Sequence, residues 1–409
     1  MITKNRIFKL FMRLGLFTLI LGLGTLTALM TNETEGLAAT ALPAAPVQSM
    51  ATADEVLYAS MTGAIESPPG LYRSLDNGYS WQFAGSGPDQ PIQALTVHPV
   101  DNQVLYAGTN GGPYEVASNL WVSPDGGQNW RQFYMKLPAG TDSRIPDVTT
   151  LAVDPKHPDE FYIGTAGQGI YRYYAAPEGY GYELFGDVSL PHKYVKGLLV
   201  SPDSQVYALT TEGLLVISEP GDTWRKIETL PDLAVSLAVD PTNPQTLYAG
   251  TAGYGAYRST DGGQTWTGIN EGLGWQPGII LRVSAITIDQ ANPDHLVLAT
   301  ALGVGSQLAG GGVYESFDQG QSWAKLADSS SVVTSLKIQA GGVYAATAEG
   351  LVRYGQPLTP PEQSPLTSLH TLAQPSGRQL LILGLTIVLA ALILMGRVEW
   401  LVKPKMSHS

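Results

Sequence analysis

The sequence predicts an all-β fold, a propeller of seven blades, and three observations predict it. A segment of the type Leu-Tyr-Ala-Gly-Thr recurs seven times along 409 residues, and a short strand opening on or near glycine follows each copy. A Ser-x-Asp-x-Gly turn ending in tryptophan recurs at one place in the unit. Repeats of roughly 40–50 residues built from four short antiparallel strands are propeller blades. Composition agrees: 46 Gly and 28 Pro imply many tight turns, and only 14 % of residues are charged, so a disordered chain is excluded.

The first repeated segment reads VLYAS 56–60, VLYAGT 104–109, FYIGT 161–165, VYALT 206–210, TLYAGT 246–251, LVLAT 296–300 and VYAAT 343–347. Its mean period from Tyr58 to Tyr344 is near 48 residues. The strand after it reads GLYRS 70–74, NLWVS 119–123, GIYRY 169–173, GLLVIS 213–218, GAYRS 255–259, GVYES 312–316 and GLVRY 350–354. Six copies are preceded by a strand such as VTTLAVDP 148–155 or AVSLAVDP 234–241. All are short, β-branched or aromatic, and bounded by Gly, Pro or Asp, as strands are. A fourth strand is marked by Trp81, Trp130, Trp224, Trp266 and Trp323, with 182–185 in the missing slot. The first unit shows strands two to four and the last shows one to three, so they are not halves of one blade. Seven blades follow, with six as the alternative.

The turn between strands three and four is SLDNGYSW (74–81), SPDGGQNW (123–130), STDGGQTW (259–266) and SFDQGQSW (316–323). Asp76, Asp125, Asp261 and Asp318 are expected to accept backbone N–H bonds, and the glycine to supply a positive φ. Trp81, Trp130, Trp266 and Trp323 then fill the space between sheets. Ser218–Trp224 is a shortened copy without the aspartate, and the third unit lacks the pattern. These turns resemble the BNR or Asp-box family of β-propellers, which includes sialidases, sortilin-type receptors, xyloglucan-cleaving glycosidases and photosystem II stability/assembly factors. The resemblance covers about residues 55–356 and implies that the boxes are structural.

Strand counting puts the Asp-box turns at one face of the disc and three long loops, 134–147, 268–282 and 301–311, at the other. Long loops are where function concentrates. Arg144, Tyr194, Trp275 and Arg282 are the ligand-binding candidates there, because aromatic and arginine side chains dominate binding hot spots. Tyr114, Glu115, Tyr134, Lys136, His192, Lys193 and Tyr254 accompany them. Catalytic candidates are the loop acids Asp142, Asp147 and Glu271, since a glycosidase needs two carboxyl groups at a defined separation. Arg144-Ile145-Pro146 is similar to the sialidase Arg-Ile-Pro motif, but the third arginine of that family is missing, which argues against sialidase chemistry. No metal site and no cofactor is expected: cysteine is absent and six scattered histidines form no ligand spacing.

The chain ends carry the topology. Lys4, Arg6, Lys9 and Arg13 precede an apolar run to Met30, so residues 1–30 read as a signal peptide or N-terminal anchor. Residues 31–54 read as a flexible leader and 357–377, with five prolines, as a stalk of at most ~65 Å. Residues 380–396 would form a transmembrane helix ~25 Å long, and 397–409 a cytoplasmic tail by the positive-inside rule. The body would then lie outside the cytoplasmic membrane. Residues 31–377 carry 34 acidic and 15 basic side chains, a balance that repels nucleic acid. The expected function is a membrane-anchored binding or assembly module for a protein or glycan partner, with a cell-surface glycoside hydrolase as the alternative.

Overall fold

The structure, a computed structural model, describes residues 45–355 apart from 54–55, 64–67, 89, 111–118, 134–146, 177–178, 187–193, 218–222, 275–279 and 305–306. The chain divides into two compact units, Met1–Ala38 with Thr359–Ser409 and Ala39–Leu358, and all described residues belong to the second. They form 27 strands in seven antiparallel sheets, with no helix among them.

The first blade comprises β1 (Val47–Ala53), β2 (Val56–Met61), β3 (Gly70–Ser74) and β4 (Gln82–Gly85). The second comprises β5 (Ile92–Val97), β6 (Leu105–Thr109), β7 (Leu120–Ser123) and β8 (Arg131–Gln132). The third has β9 (Val148–Val153), β10 (Phe161–Thr165), β11 (Ile170–Ala176) and β12 (Gly179–Leu184). The fourth has β13 (Val195–Val200), β14 (Val206–Thr210), β15 (Gly213–Ile217) and β16 (Arg225–Lys226). The fifth has β17 (Ala234–Val239), β18 (Leu247–Thr251), β19 (Ala256–Ser259) and β20 (Thr267–Gly268). The sixth has β21 (Leu281–Ile288), β22 (Leu296–Val304), β23 (Gln307–Ser316) and β24 (Ala324–Asp328). The seventh has three strands, β25 (Ser335–Gln339), β26 (Gly342–Thr347) and β27 (Gly350–Tyr354).

The core decides between six and seven blades. Seven hydrophobic clusters are present, and each spans one seam between neighbouring blades. The cluster of Val47, Met50 and Trp81 with Tyr344 and Ala346 joins the first blade to the seventh and closes the ring. The Tyr344 hydroxyl also donates to the Asn77 carbonyl across that seam. The repeated Leu-Tyr-Ala-Gly-Thr segment is the second strand of each blade, and its tyrosines are buried. Its glycine makes room for the next blade: a Cβ on Gly108 would lie 2.2 Å from a Val148 methyl, and one on Gly250 would lie 2.6 Å from a Val283 methyl. Its threonine closes the following turn, with the Thr165 hydroxyl donating to the Gly169 carbonyl at 2.7 Å and Thr251 to Gly255 at 2.8 Å.

Three expectations are corrected. Residues 47–53, read as part of a flexible leader, are the first strand of the first blade. Their sequence, VQSMATA, is rich in small residues with weak strand preference, and the strand exists because β2 offers it an edge. Residues 301–311, read as a loop, extend β22 and β23 into a long hairpin in which Leu302 pairs with Ala309 and Val304 with Gln307. Of the five tryptophans, only Trp81 and Trp323 are buried; Trp130, Trp224 and Trp266 are half-buried. β8, β16 and β20, which follow those three, are only two residues long and leave one side of each indole open.

The apolar runs 14–30 and 380–396 and the stalk lie outside the described residues. Among the described residues no helix is long and apolar enough to cross a membrane.

Candidate functional site

The Asp-box turns use their serine and aspartate side-chain oxygens internally. Ser259 Oγ donates to Asp261 Oδ1 at 2.7 Å and accepts the Gly263 N–H at 2.9 Å. The same Oδ1 accepts the Thr265 N–H at 2.9 Å, and Oδ2 accepts the Thr265 hydroxyl at 2.6 Å. Gly263 sits at φ 84°, which an L side chain rarely adopts. Ser123–Asn129 and Ser316–Ser322 repeat the arrangement bond for bond. Asp76 makes the same set of partners with Ser74 and Ser80. The hydrogen bonds, the Thr265 or Ser322 hydroxyl first, hold Asp261 and Asp318 down at about 2. A carboxylate so engaged has little left to offer a ligand.

At the opposite ends of the strands, two pairs of loop-face residues are brought together. Asp147 immediately precedes β9, and its carbonyl accepts the Ala166 N–H at 3.0 Å. Ala166 also bridges to Tyr194, which precedes β13 and is 46 % exposed. On the fifth and sixth blades Tyr254, 55 % exposed, bridges to Leu281, the residue before Arg282. Arg282 is half-buried on β21, opposite Ala301, and its Nε–H has no partner. Exposed apolar side chains at nearby positions are Ile280, Leu302 and Leu308. The register puts Leu308, opposite Gly303, on the same face as Arg282 and Ala301, and Leu302, opposite Leu281 and Ala309, on the other. The sequence reading missed these side chains because the glycines of 303–312 hid the hairpin. Apolar residues at 302, 304 and 308 were the signal that could have found it.

Glu271 stands apart. It lines a groove of about 440 Å³ with Thr260 and Thr265 of one Asp-box turn and Gln321 of the next, and its carbonyl accepts the Trp323 N–H at 2.9 Å. Each strand of a sheet is rotated by roughly 20–25° from its neighbour, so the outermost strand of a blade runs toward the adjacent blade. Residues that follow it therefore meet the neighbouring Asp-box turn at the rim instead of the channel mouth. Asp142, Arg144 and Trp275 lie outside the described residues, as do Tyr114, Glu115, Tyr134, Lys136, His192 and Lys193.

One group of metal-type ligands is present among the described residues, where the sequence spacing suggested none. Asp154, His157 and Glu160 bring one ligand atom each within 4.8 Å of one another. Arg172 already holds Glu160, from Nη2 at 2.7 Å and Nε at 3.0 Å. Asp154 Oδ1 accepts the Lys156 N–H at 2.8 Å and the Ser204 hydroxyl at 3.1 Å. The group thus works as a turn clamp between strands β9 and β10.

Between the first strands of blades three to seven runs a cavity of about 650 Å³, the central channel.

The BNR/Asp-box repeat family matches residues 257–267, the best-formed turn. Sequence similarity extends to a xyloglucanase of a Paenibacillus species, 28 % identical over 251 residues, 49 % of this chain and 23 % of that protein. It extends also to an oligoxyloglucan-reducing end-specific xyloglucanase of Emericella nidulans, 23 % identical over 215 residues, 46 % of this chain and 25 % of that protein. The chain spans about a quarter of the length of these curated relatives. Among solved structures, the GH74 xyloglucanase of Xanthomonas campestris superimposes with a TM-score of 0.55 at 17 % identity, over 77 % of this chain and 53 % of that one. YCF48 bound to a D1 peptide does so with a TM-score of 0.55 at 14 % identity, over 78 % of this chain and 97 % of that one. These likenesses show a shared propeller fold, and the Asp-box resemblance read from the sequence holds.

Proposed function

We propose that this chain is a carbohydrate-active propeller of the glycoside-hydrolase kind, taking a polysaccharide at its loop face. This places the hydrolase reading ahead of the binding-module reading expected from the sequence, because the curated relatives that align are xyloglucanases. The observation that carries it is the exposure of Tyr194 and Tyr254 at the strand ends away from the Asp-box turns. Flat, solvent-facing tyrosines give sugar rings an apolar platform with a polar edge. Asp142 and Asp147 are the proposed acid pair, five positions apart at the entry to the third blade. Glu271 is left out, since it sits at the rim. The charge placement around 14–30 and 380–396 supports a body held outside the cytoplasmic membrane, where such polymers are found.

The test is release of reducing ends from xyloglucan oligosaccharides by the full-length chain. Asp142→Asn and Asp147→Asn should each lower the rate at least a hundredfold, while Glu271→Gln leaves it unchanged. Unchanged rates in both aspartate variants would refute the assignment. A second reading has its own observation, the exposed apolar side chains of Tyr254, Ile280 and the hairpin residues Leu302 and Leu308 near Arg282. Its composition suits a protein partner, as in an assembly module.

A further inference from the structure

The central channel carries a feature that neither the Asp-box turns nor the loop face accounts for. Of the described residues lining its 650 Å³, Lys337 of β25 is the one with a charged side chain. The equivalent position on the other six first strands is filled by Ala51, Thr96, Ala152, Leu199, Ala238 and Thr287. Six blades therefore put a small or apolar residue where the seventh puts an ammonium. Lys337 is half-buried there, and lysine is seldom drawn out of water without a partner. Yet among the described residues no carboxylate, carbonyl or hydroxyl is within bonding distance of its Nζ, in a chain with 35 acidic residues. Desolvation by the surrounding strands pushes its pKa below the usual lysine value.

We propose that the channel is a binding site for a small organic anion, whose single carboxylate pairs with Lys337 and whose aliphatic body lies along Leu199 and Val239. A volume of this size is ordinary for a small-molecule site. The first strand of every blade pairs on one side only, so its inner edge offers backbone N–H groups to the carboxylate as well. Charge selects the ligand class. One ammonium balances one carboxylate, whereas a phosphate carrying about two negative charges would leave one uncompensated inside a chain of net charge −12. The Ser236 and Ser284 hydroxyls on the lining already donate to the Val283 and Val333 carbonyls, at 3.0 and 2.7 Å, so the second carboxylate oxygen is left to the backbone N–H groups. This site is distinct from the loop-face reading and stands whether or not the chain cleaves glycans.

Calorimetric titration of the full-length chain in lipid nanodiscs tests it, with butyrate, hexanoate, hexanamide and inorganic phosphate as probes. Hexanoate should bind about 15-fold more tightly than butyrate, the gain from burying two further methylenes. Hexanamide should bind at least tenfold more weakly than hexanoate, and phosphate more weakly still. In Lys337→Met the preference for acid over amide should vanish, while Lys337→Arg keeps it and Asp147→Asn leaves it untouched. Lys337→Met should melt at or above the parental temperature, because it removes an unpaired, partly desolvated charge, so a folding defect will not mask the result. The proposal is overturned if the acid preference survives in Lys337→Met, if phosphate matches hexanoate, or if neither hexanoate nor hexanamide binds.

Discussion

Replacing Trp323 by alanine should hurt far more than the same change at Trp266, although both close near-identical Asp-box turns. Trp323 is 5 % exposed in the cluster formed by Leu281, Ile286 and Leu298. Its indole N–H donates to the Ile269 carbonyl at 2.8 Å, across the seam between the fifth and sixth blades. Loss of a buried aromatic of this size costs ~3–5 kcal/mol, and the orphaned carbonyl pushes the figure to the upper end. Trp266 is half-buried, only packs against the edge of its cluster, and its indole N–H has no partner. With about half the apolar loss and no bond to lose, Trp266→Ala should cost ~1–2 kcal/mol. In a domain of this size one kcal/mol moves Tm by about 2 °C. Scanning calorimetry should therefore find Trp323→Ala lower by ~6–10 °C and Trp266→Ala by ~2–4 °C. Equal shifts would show that the ring contributes through the turn itself and not through the seam, and the reasoning would fail.

Other outcomes follow from the same contacts. Gly250→Ala would set a Cβ 2.6 Å from both a Val283 methyl and the Val283 carbonyl, so it should cost ~1–3 kcal/mol, whereas Gly303→Ala, with nothing within 4 Å, should leave the melt unchanged. Asp261 and Asp318 titrate at about 2 when folded, below the ordinary 3.8, so they contribute stability above pH ~4 that is lost as pH falls toward 2. A double Asp261→Asn, Asp318→Asn variant should flatten the acid side of a Tm-against-pH curve, and an unchanged acid limb would count against the turn's role. Leu302→Asp with Leu308→Asp should leave stability within about 0.5 kcal/mol, since both side chains are already solvated. The same pair should abolish capture of any protein partner by the hairpin; capture at the parental level would dismiss the second reading.

What could be read from the sequence was whatever makes its bonds locally. The Asp-box is legible because Ser259, Asp261, Gly263 and Thr265 bond one another within seven residues, so the spacing carries the geometry. The Leu-Tyr-Ala-Gly-Thr segment was legible as a strand, but the reason for its glycine lay in Val148 or Val283, some 30–40 positions away. β1 escaped notice because its residues have no strand preference of their own and answer only to the edge of β2. The candidate site was partly legible for the same reason. Tyr194 and Arg282 were placed at the correct face by counting strands, whereas Glu271 was not, because sheet twist is a property of the assembled blade and leaves no mark on a loop.

The two faces of the disc differ in how their polar atoms are spent, and that difference bears on where a ligand can act. At the Asp-box face the hydroxyl and carboxylate of each turn are bonded within the turn, four times over. A ligand arriving there would have to break those bonds before making its own, and would gain little net free energy. At the loop face the Nε–H of Arg282 has no partner and the rings of Tyr194 and Tyr254 stand in solvent. In the channel, the half-buried Lys337 ammonium makes no ion pair among the described residues. Unspent donors and exposed rings are the groups that gain most from a ligand, because binding replaces an unmet requirement instead of exchanging one bond for another. The serine and aspartate of the Asp-box turns are therefore poor anchors for a ligand, and the unpartnered Arg282 and the exposed rings at the loop face are better ones. Substitutions at Tyr194, Arg282 or Lys337 should alter binding with little effect on the melt, and substitutions in the Asp-box turns should do the reverse.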